Sequence, residues 1–303
     1  MLRYLAAASA LRLFSINHST RRVYRAIGNF FGARRRNAGV NPHYVERAKG
    51  NLAFVESVFD LRDGLTVMEL GTGWVHWEAL FLRAFYDVRL ILFDVWDNRQ
   101  FSGFKAYARH FAQYLISDND YRPESRQQAI RFLESIEKCS NFDEVYVLMG
   151  ATYFINESGS LFDFKDKSVD LVISSDVLEH VNRNAVPRLA KDLYRIIKDG
   201  GASCHQIVQA DHLRIYDKSV HPKQYLSYSD FVWRILFSNE VQYINRLQHS
   251  DFAREFENAG FDITKSYIYQ RCDITNLKIS KIFLNYQKED LEATVTRLAA
   301  SKS

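Results

Sequence analysis

Two sets of side chains in the 303-residue sequence have types and spacings that could do chemistry. The first is Glu179-His180, His205 and Asp211-His212. A neutral imidazole is the usual proton acceptor near pH 7, and a carboxylate beside it can orient it. His180 is the first candidate for a base, with Glu179 to orient it or bind a cation. His205 and His212 are further candidates. Glu179 and His180 are adjacent, and two neighbours cannot form a metal site alone, so no metal is expected. Each group also has a structural reading. His180 can be hydrogen-bonded at the start of a helix, and His205, inside an apolar run, can be a satisfied core group.

The second set is Glu69-Leu70-Gly71-Thr72-Gly73-Trp74, followed about 20 residues later by Asp94. Two glycines let a backbone approach a ligand closely. A dinucleotide turn would want Gly-x-Gly-x-x-Gly, but His76 holds the third place. A phosphate loop would want Gly-Lys-Ser or Gly-Lys-Thr, but Trp74 and Val75 follow instead. Glu69 would repel a phosphate and welcome an amino group. Asp94 stands where an acid accepts ribose hydroxyls. The ligand expected is therefore an adenosine compound that carries an amino acid and no phosphate. Trp74 could lie over a cationic ligand, with hydrophobic packing as its plainer role. Arg246 could hold an anionic group, with a solvated surface position as its plainer role.

These residues sit in an alternating pattern. Thr66–Leu70 reads as a buried strand running into the glycine turn, and a helix-like run from Val75 to Tyr86 follows. Asn41–Leu61 reads as the helix before it. Further strands are expected at 89–93, 144–148, 170–174, 202–208, 263–269 and 293–299. Helices are expected over 185–197, ending at Lys198-Asp199-Gly200-Gly201, and over 251–258. Residues 100–138 read as helical with a break at Asp118-Asn119-Asp120 and Pro123. The fold class is α/β, a doubly wound, mostly parallel seven-stranded sheet, with helical insertions near 100–140 and 215–250. One domain over 46–303 follows a basic extension over 1–45.

In that extension eight arginines precede Glu46, the first acid. Leu2, Leu5, Leu13 and Ile16 are spaced like one helical face. Three readings are open: a helix packed on the domain, a helix lying on anionic lipid, or an organellar transit peptide. The net charge of +4 is too small to imply nucleic acid as a partner. Cys139, Cys204 and Cys272 are odd in number and widely spaced, which suits a reducing, cytoplasmic setting.

The motifs together resemble the class I S-adenosylmethionine-dependent methyltransferases. Glu69-Leu70-Gly71-Thr72-Gly73 is similar to the first motif of that superfamily. Ser168 to Val181 resembles the fourth motif of its small-molecule branch. Leu193–Gly201 and Phe256–Phe261 resemble the helix-and-turn segments before strands five and six. Trp74, His205–His212 and Asn245-Arg246-Leu247 resemble an uncharacterised bacterial subgroup. The resemblance implies S-adenosylmethionine as cofactor. Glu69, Gly71, Thr72 and Gly73 would cradle its methionine part, and Asp94 would take its ribose. Ala151 or Thr152 would read the adenine edge, where the family often has an acid and this chain does not. Asp176 and Val177 would lie near the methyl group. The reaction implied is methyl transfer to a small-molecule acceptor, at oxygen before nitrogen or carbon. The alternative is a binding or scaffold protein that keeps the fold without catalysis, docked to a membrane by its basic segment. Oligomeric state is left open.

Overall fold

The computed structural model describes residues 1–118 and 120–303, so Asn119 of the expected break lies outside the described residues. The strands are β1 (Thr66–Leu70), β2 (Arg89–Asp94), β3 (Ala151–Ile155), β4 (Val169–Ser175), β5 (Ile197–Val208), β6 (Asp262–Arg271) and β7 (Ala293–Ser301). They form one seven-stranded sheet in the order β3-β2-β1-β4-β5-β7-β6. Val67 of β1 faces Leu90 of β2 on one side and Leu171 of β4 on the other, both in parallel register. Such strands are covered on both faces, hence their nearly continuous apolar runs. Gly200 N–H bonds to Lys302 O, and Gln209 N–H to Thr294 O. The residue numbers rise on β5 as they fall on β7, so β7 runs antiparallel. The order reverses between β1 and β4, where ligands of doubly wound sheets bind.

The helices are α1 (Leu2–Phe14), α2 (His18–Asn37), α3 (Pro42–Glu56), α4 (Trp77–Phe85), α5 (Phe101–Ser117), α6 (Pro123–Ile136), α7 (Phe142–Met149), α8 (Val186–Ile196), α9 (Asp230–Leu236), α10 (His249–Asn258) and α11 (Lys288–Glu292). Packing divides the chain into two compact units. The first holds Asn29–Ser175, Asp192–Cys204 and Ala299–Ser303, and the second Met1–Gly28, Asp176–Lys191 and His205–Leu298. The sequence drew its line at residue 45, whereas packing draws one inside α2.

In the first unit, Phe81 stacks on Phe111 at 4.6 Å, and Trp77 meets Phe111 and Tyr107 edge-on. Phe104, Tyr107 and Phe111 are thus core. Residues 144–148 are not strand three: they lie in α7. Asn141 caps that helix by accepting Glu144 N–H, two acids fill its first turn, and Gly150 ends it at φ 61°. These are helix signals, and they outweigh the β-leaning Val-Tyr-Val run. The true third strand, β3, comes after it. Residues 198–201, expected to end a helix, already belong to β5.

In the second unit, Tyr4, Ala8 and Leu11 of α1 enter a core with Leu213, Tyr225, Trp233, Phe237 and Phe283. Burying Tyr4 and Leu11 stabilises this unit by about 1.5–3 kcal/mol per side chain. The face the sequence suggested is the other one: Leu2, Leu5, Leu13 and Ile16 are all exposed. The buried face is lined by a tyrosine and a small residue, which an aliphatic count overlooks. The α1 N-terminus is tied by its ammonium to Asp217 at 2.6 Å.

Candidate functional site

The glycine turn belongs to the first unit. Gly71 and Gly73 adopt φ of 73° and 63°, the left-handed region that glycine enters at least cost. The turn is fastened to the end of β2. Gly71 and Thr72 N–H groups donate to Phe93 O at 2.8 and 3.2 Å, and Gly73 N–H donates to Asp94 Oδ2 at 2.8 Å. Asp94 Oδ1 accepts Val95 and Trp96 N–H as well. Burial pushes the Asp94 carboxyl above its ordinary range, against those three N–H groups, which favour the ionised form.

Behind the turn runs a chain of polar groups. Glu69 Oε2 accepts from Thr72 Oγ1 at 2.7 Å and from Ala79 N–H at 3.3 Å. Thr72 Oγ1 lies 2.7 Å from His76 Nδ1, and His76 Nε2 lies 3.0 Å from Tyr146 Oη. Burial pushes the Glu69 carboxyl up to about 8 and the His76 imidazole down to about 3. Both groups are thus held neutral near pH 7. His76 occupies the place of the missing third glycine. It starts α4 at φ 42°, its ring packed among Phe104, Phe142, Tyr146 and Tyr153. Sequence reasoning treated His76 only as an absent glycine and missed its place in this network.

Trp74 stands on the turn but serves α2. Its indole N–H donates to Asn29 Oδ1 at 2.7 Å, and the Arg36 guanidinium lies 4.4 Å above its ring. Its cation–π partner is therefore within the chain. Because strand three is β3, Thr152 sits inside the strand, opposite Ile91, and not after it. The residues that follow are Asn156, Glu157 and Ser158, so the position after the third strand does include an acid.

The other candidates lie in the second unit. Asp176, at φ 59°, donates its N–H to Gln206 O and accepts Gln206 Nε2 at 3.1 Å. Val177 leads into a one-turn 3-10 helix, Leu178–His180. Glu179 is buried, 3% exposed. His180 Nδ1 lies 2.6 Å from Tyr243 O. A carbonyl can only accept, so Nδ1 carries the proton and Nε2 keeps its lone pair. The His212 ring lies 4.8 Å from the His180 ring, and ligand atoms of Glu179, His180 and His212 all lie within 4.8 Å of one another. Desolvation holds both imidazoles below their ordinary range, His212 at about 3, although His180 is itself an exposed residue. His205 is not in this group. It is 1% exposed within β5, beside Phe256. Asp211 turns away from His212 to accept Tyr4 O–H at 2.7 Å and Leu213 N–H at 3.0 Å.

Arg246, read as a solvated surface residue or an anion ligand, is not at the surface. It is 6% exposed, at φ 61°, and donates to Tyr225 O and Tyr228 O. Its neighbour Asn245 binds Leu178 O, Glu179 O and Val181 O, holding the 3-10 turn.

Residues 17–266 match the profile of a family described as a methyltransferase domain. The chain belongs to that family. Among curated proteins, none matches this methyltransferase by sequence. Solved structures do. Phosphoethanolamine N-methyltransferase 2 of Haemonchus contortus, in complex with S-adenosyl-L-methionine, is 15% identical over 84% of this chain and 52% of its own, with a TM-score of 0.47. A putative sarcosine dimethylglycine methyltransferase of Galdieria sulphuraria is 12% identical over 86% of each chain, with a TM-score of 0.46. This methyltransferase spans about half the length of the nematode enzyme. At these identities the likeness says nothing of substrate.

The turn fits S-adenosylmethionine, the cofactor that the motifs of this methyltransferase domain imply. The amides of residues 71, 72 and 73 are already bonded to Phe93 O and Asp94, so they do not form an anion cradle. Asp94 beneath them repels phosphate and suits ribose hydroxyls. A Cβ built on Gly73 meets no protein atom within 4 Å, so space adjoins the turn. Gly71, Gly73 and Asp94 would hold the cofactor, and Glu69 and Thr72 would shape the turn from behind.

Proposed function

We propose that this chain transfers the methyl group of S-adenosylmethionine to a small-molecule acceptor, with oxygen as the accepting atom. The observation that supports this most is the way the glycine turn spends its amides on Phe93 and Asp94. That arrangement disfavours phosphate and favours a cationic adenosine compound. The bound cofactor supplies an electrophilic methyl on a sulfonium, whose charge vanishes on transfer. The protein's work is alignment, exclusion of water and removal of the acceptor's proton. Glu179, His180 and His212 are the groups we assign to that proton, because two neutral imidazoles and a carboxylate meet there. Asp176 and Val177, in the segment just before them, are assigned to the cofactor side. A scaffold without catalysis would not need Gly71 and Gly73 at positive φ over an acid.

Calorimetry with S-adenosylhomocysteine tests the cofactor half. We expect micromolar binding, weakened at least tenfold by Asp94→Ala, and absence of binding overturns the reading. Radiolabelled methyl transfer to hydroxylated and amino acceptors tests the other half. His180→Ala should lower kcat while leaving KM for the cofactor unchanged.

We further propose that the protein works in the cytoplasm, with its first two helices on an anionic bilayer surface. Three free cysteines suit a reducing compartment. No helix among the described residues is long and apolar enough to cross a membrane. On α2, Val23, Ile27, Phe30 and Phe31 are 51%, 44%, 66% and 63% exposed. They repeat every three to four residues, so they form one outward stripe. Arg22, Arg34 and Arg35 flank it, and no acid precedes Glu46. Apolar stripe and unopposed positive charge match a bilayer of anionic lipid. Deleting the segment would take Tyr4 and Leu11 from the core, so point variants are the better test. Flotation on phosphatidylglycerol vesicles should be lost in Phe30→Ser/Phe31→Ser and weakened in Arg34→Glu/Arg35→Glu. No flotation at low salt, or a dimer that covers the stripe, overturns it.

A further inference from the structure

Glu179 and His180 come from the segment after β4, and His212 from the segment after β5. Folding adds the third donor that two adjacent residues lacked. We propose that Glu179, His180 and His212 bind one divalent transition-metal ion. Two imidazoles and one carboxylate are the donor set of zinc sites that keep a position open for chemistry, and of open iron sites.

The distances fit after small side-chain rotations. Ligand bonds of about 2.0–2.2 Å place donors roughly 3.3–3.5 Å apart in a tetrahedral site. The three donors here lie within 4.8 Å of one another. Side-chain rotations of about an ångström would bring the donors to that spacing.

The surroundings hold the ligands in place. His180 Nδ1–H is fixed on Tyr243 O at 2.6 Å, which leaves Nε2, with its lone pair, as the metal-binding atom. Asn245 N–H bonds to Glu179 O at 2.9 Å, and Asn245 Nδ2 bonds to Leu178 O at 2.7 Å. His212 follows Asp211, whose N–H bonds to Pro222 O and whose carboxylate accepts Tyr4 O–H at 2.7 Å. Metal-binding histidines are commonly anchored in this way through the other ring nitrogen or through the adjoining backbone.

The open positions would take oxygen ligands, the acceptor's hydroxyl among them. A hydroxyl bound to the ion would release its proton to water nearer neutral pH, so that with metal bound the three side chains act on that proton through the ion and not as bases themselves. Its oxygen then takes the methyl, and the sulfur keeps the electron pair as a thioether. This last role rests on the methyl-transfer reading, but the metal site itself does not.

Zinc alone is the probe. The full chain is stripped with chelator and titrated with Zn²⁺ by calorimetry, and with Co²⁺ by visible absorption. One ion per chain is expected, with a cobalt spectrum showing imidazole nitrogen ligands. His212→Ala, His180→Ala and Glu179→Gln should each weaken binding at least tenfold. His43→Ala, altering an exposed histidine of α3, should bind as the parent does. Circular dichroism and S-adenosylhomocysteine binding show that the variants fold. Absence of stoichiometric binding, or equal binding in the three ligand variants, overturns the proposal. Loss of homocysteine-product binding with zinc binding intact would overturn the methyl-transfer reading alone.

Discussion

Glu69 and Thr72 are joined by a 2.7 Å hydrogen bond that ties the buried acid of β1 to the turn it feeds. Thr72 also meets His76 at 2.7 Å, and His76 meets Tyr146 at 3.0 Å. The glycine turn is thus supported from behind by a continuous polar chain. Thr72→Val keeps the shape and removes the hydroxyl, leaving Glu69 and His76 each short of a partner. We expect a loss of about 1–3 kcal/mol in urea unfolding. S-adenosylhomocysteine should bind at least several-fold more weakly, and Thr72→Ser should restore both.

Glu69 also predicts a dependence on pH. Burial is the main cause that pushes its carboxyl up to about 8, against about 4.3 in an unfolded chain. Folding therefore favours the protonated acid. Its contribution is whole below the unfolded value, shrinks as pH rises toward 8, and is gone above that. The apo protein should be less stable at pH 8 than at pH 5 through this residue, by an amount on the order of a few kcal/mol. Glu69→Gln should flatten that part of the stability–pH curve, measured by thermal unfolding. An unchanged slope would show that Glu69 does not titrate there.

Gly73 separates the fold from the ligand. At φ 63° any other residue is strained, by about 1–2 kcal/mol. A Cβ there meets no protein atom within 4 Å. Gly73→Ala should therefore cost stability only that strain, yet weaken S-adenosylhomocysteine at least tenfold, since the methyl enters the space beside the turn. Differential scanning calorimetry and ligand titration read the two effects apart.

Much of this site was legible in the sequence because its signals are local. Gly71, Gly73 and Asp94 lie within one strand-turn-helix-strand unit, and β1, β2 and β4 are apolar runs of strand length. What stayed hidden depended on distant contacts or on competing local signals. His212 became a partner of Glu179 and His180 only through folding. The Val-Tyr-Val of α7 looked like a strand until its Asn141 cap and Gly150 stop were weighed, and that shift moved Thr152 off the strand end. The outward face of α1 misled because Tyr4 and Ala8, rather than leucines, face the core. Arg246 gave no local sign of burial at all.

Arg246 supplies the last prediction. Its guanidinium lies 5.0 Å from the Trp233 and Phe283 rings, 3.4 Å from Asp230, and donates to Tyr225 O at 3.3 Å and Tyr228 O at 2.5 Å. Burial lowers its pKa to about 10, so it stays charged near pH 7. A planar fork can serve two carbonyls while lying on aromatic faces, and a lysine ammonium cannot do both. Arg246→Lys should cost about 1–3 kcal/mol, and Arg246→Ala about 3–5 kcal/mol, because carbonyls and rings lose their partner. Urea unfolding measures both. Its partners Tyr225, Tyr228 and Asp230 are not among the residues assigned to the cofactor, so S-adenosylhomocysteine affinity of the folded variants should match the parent. A joint loss of stability and ligand affinity in Arg246→Lys would instead place this arginine within the ligand-binding machinery.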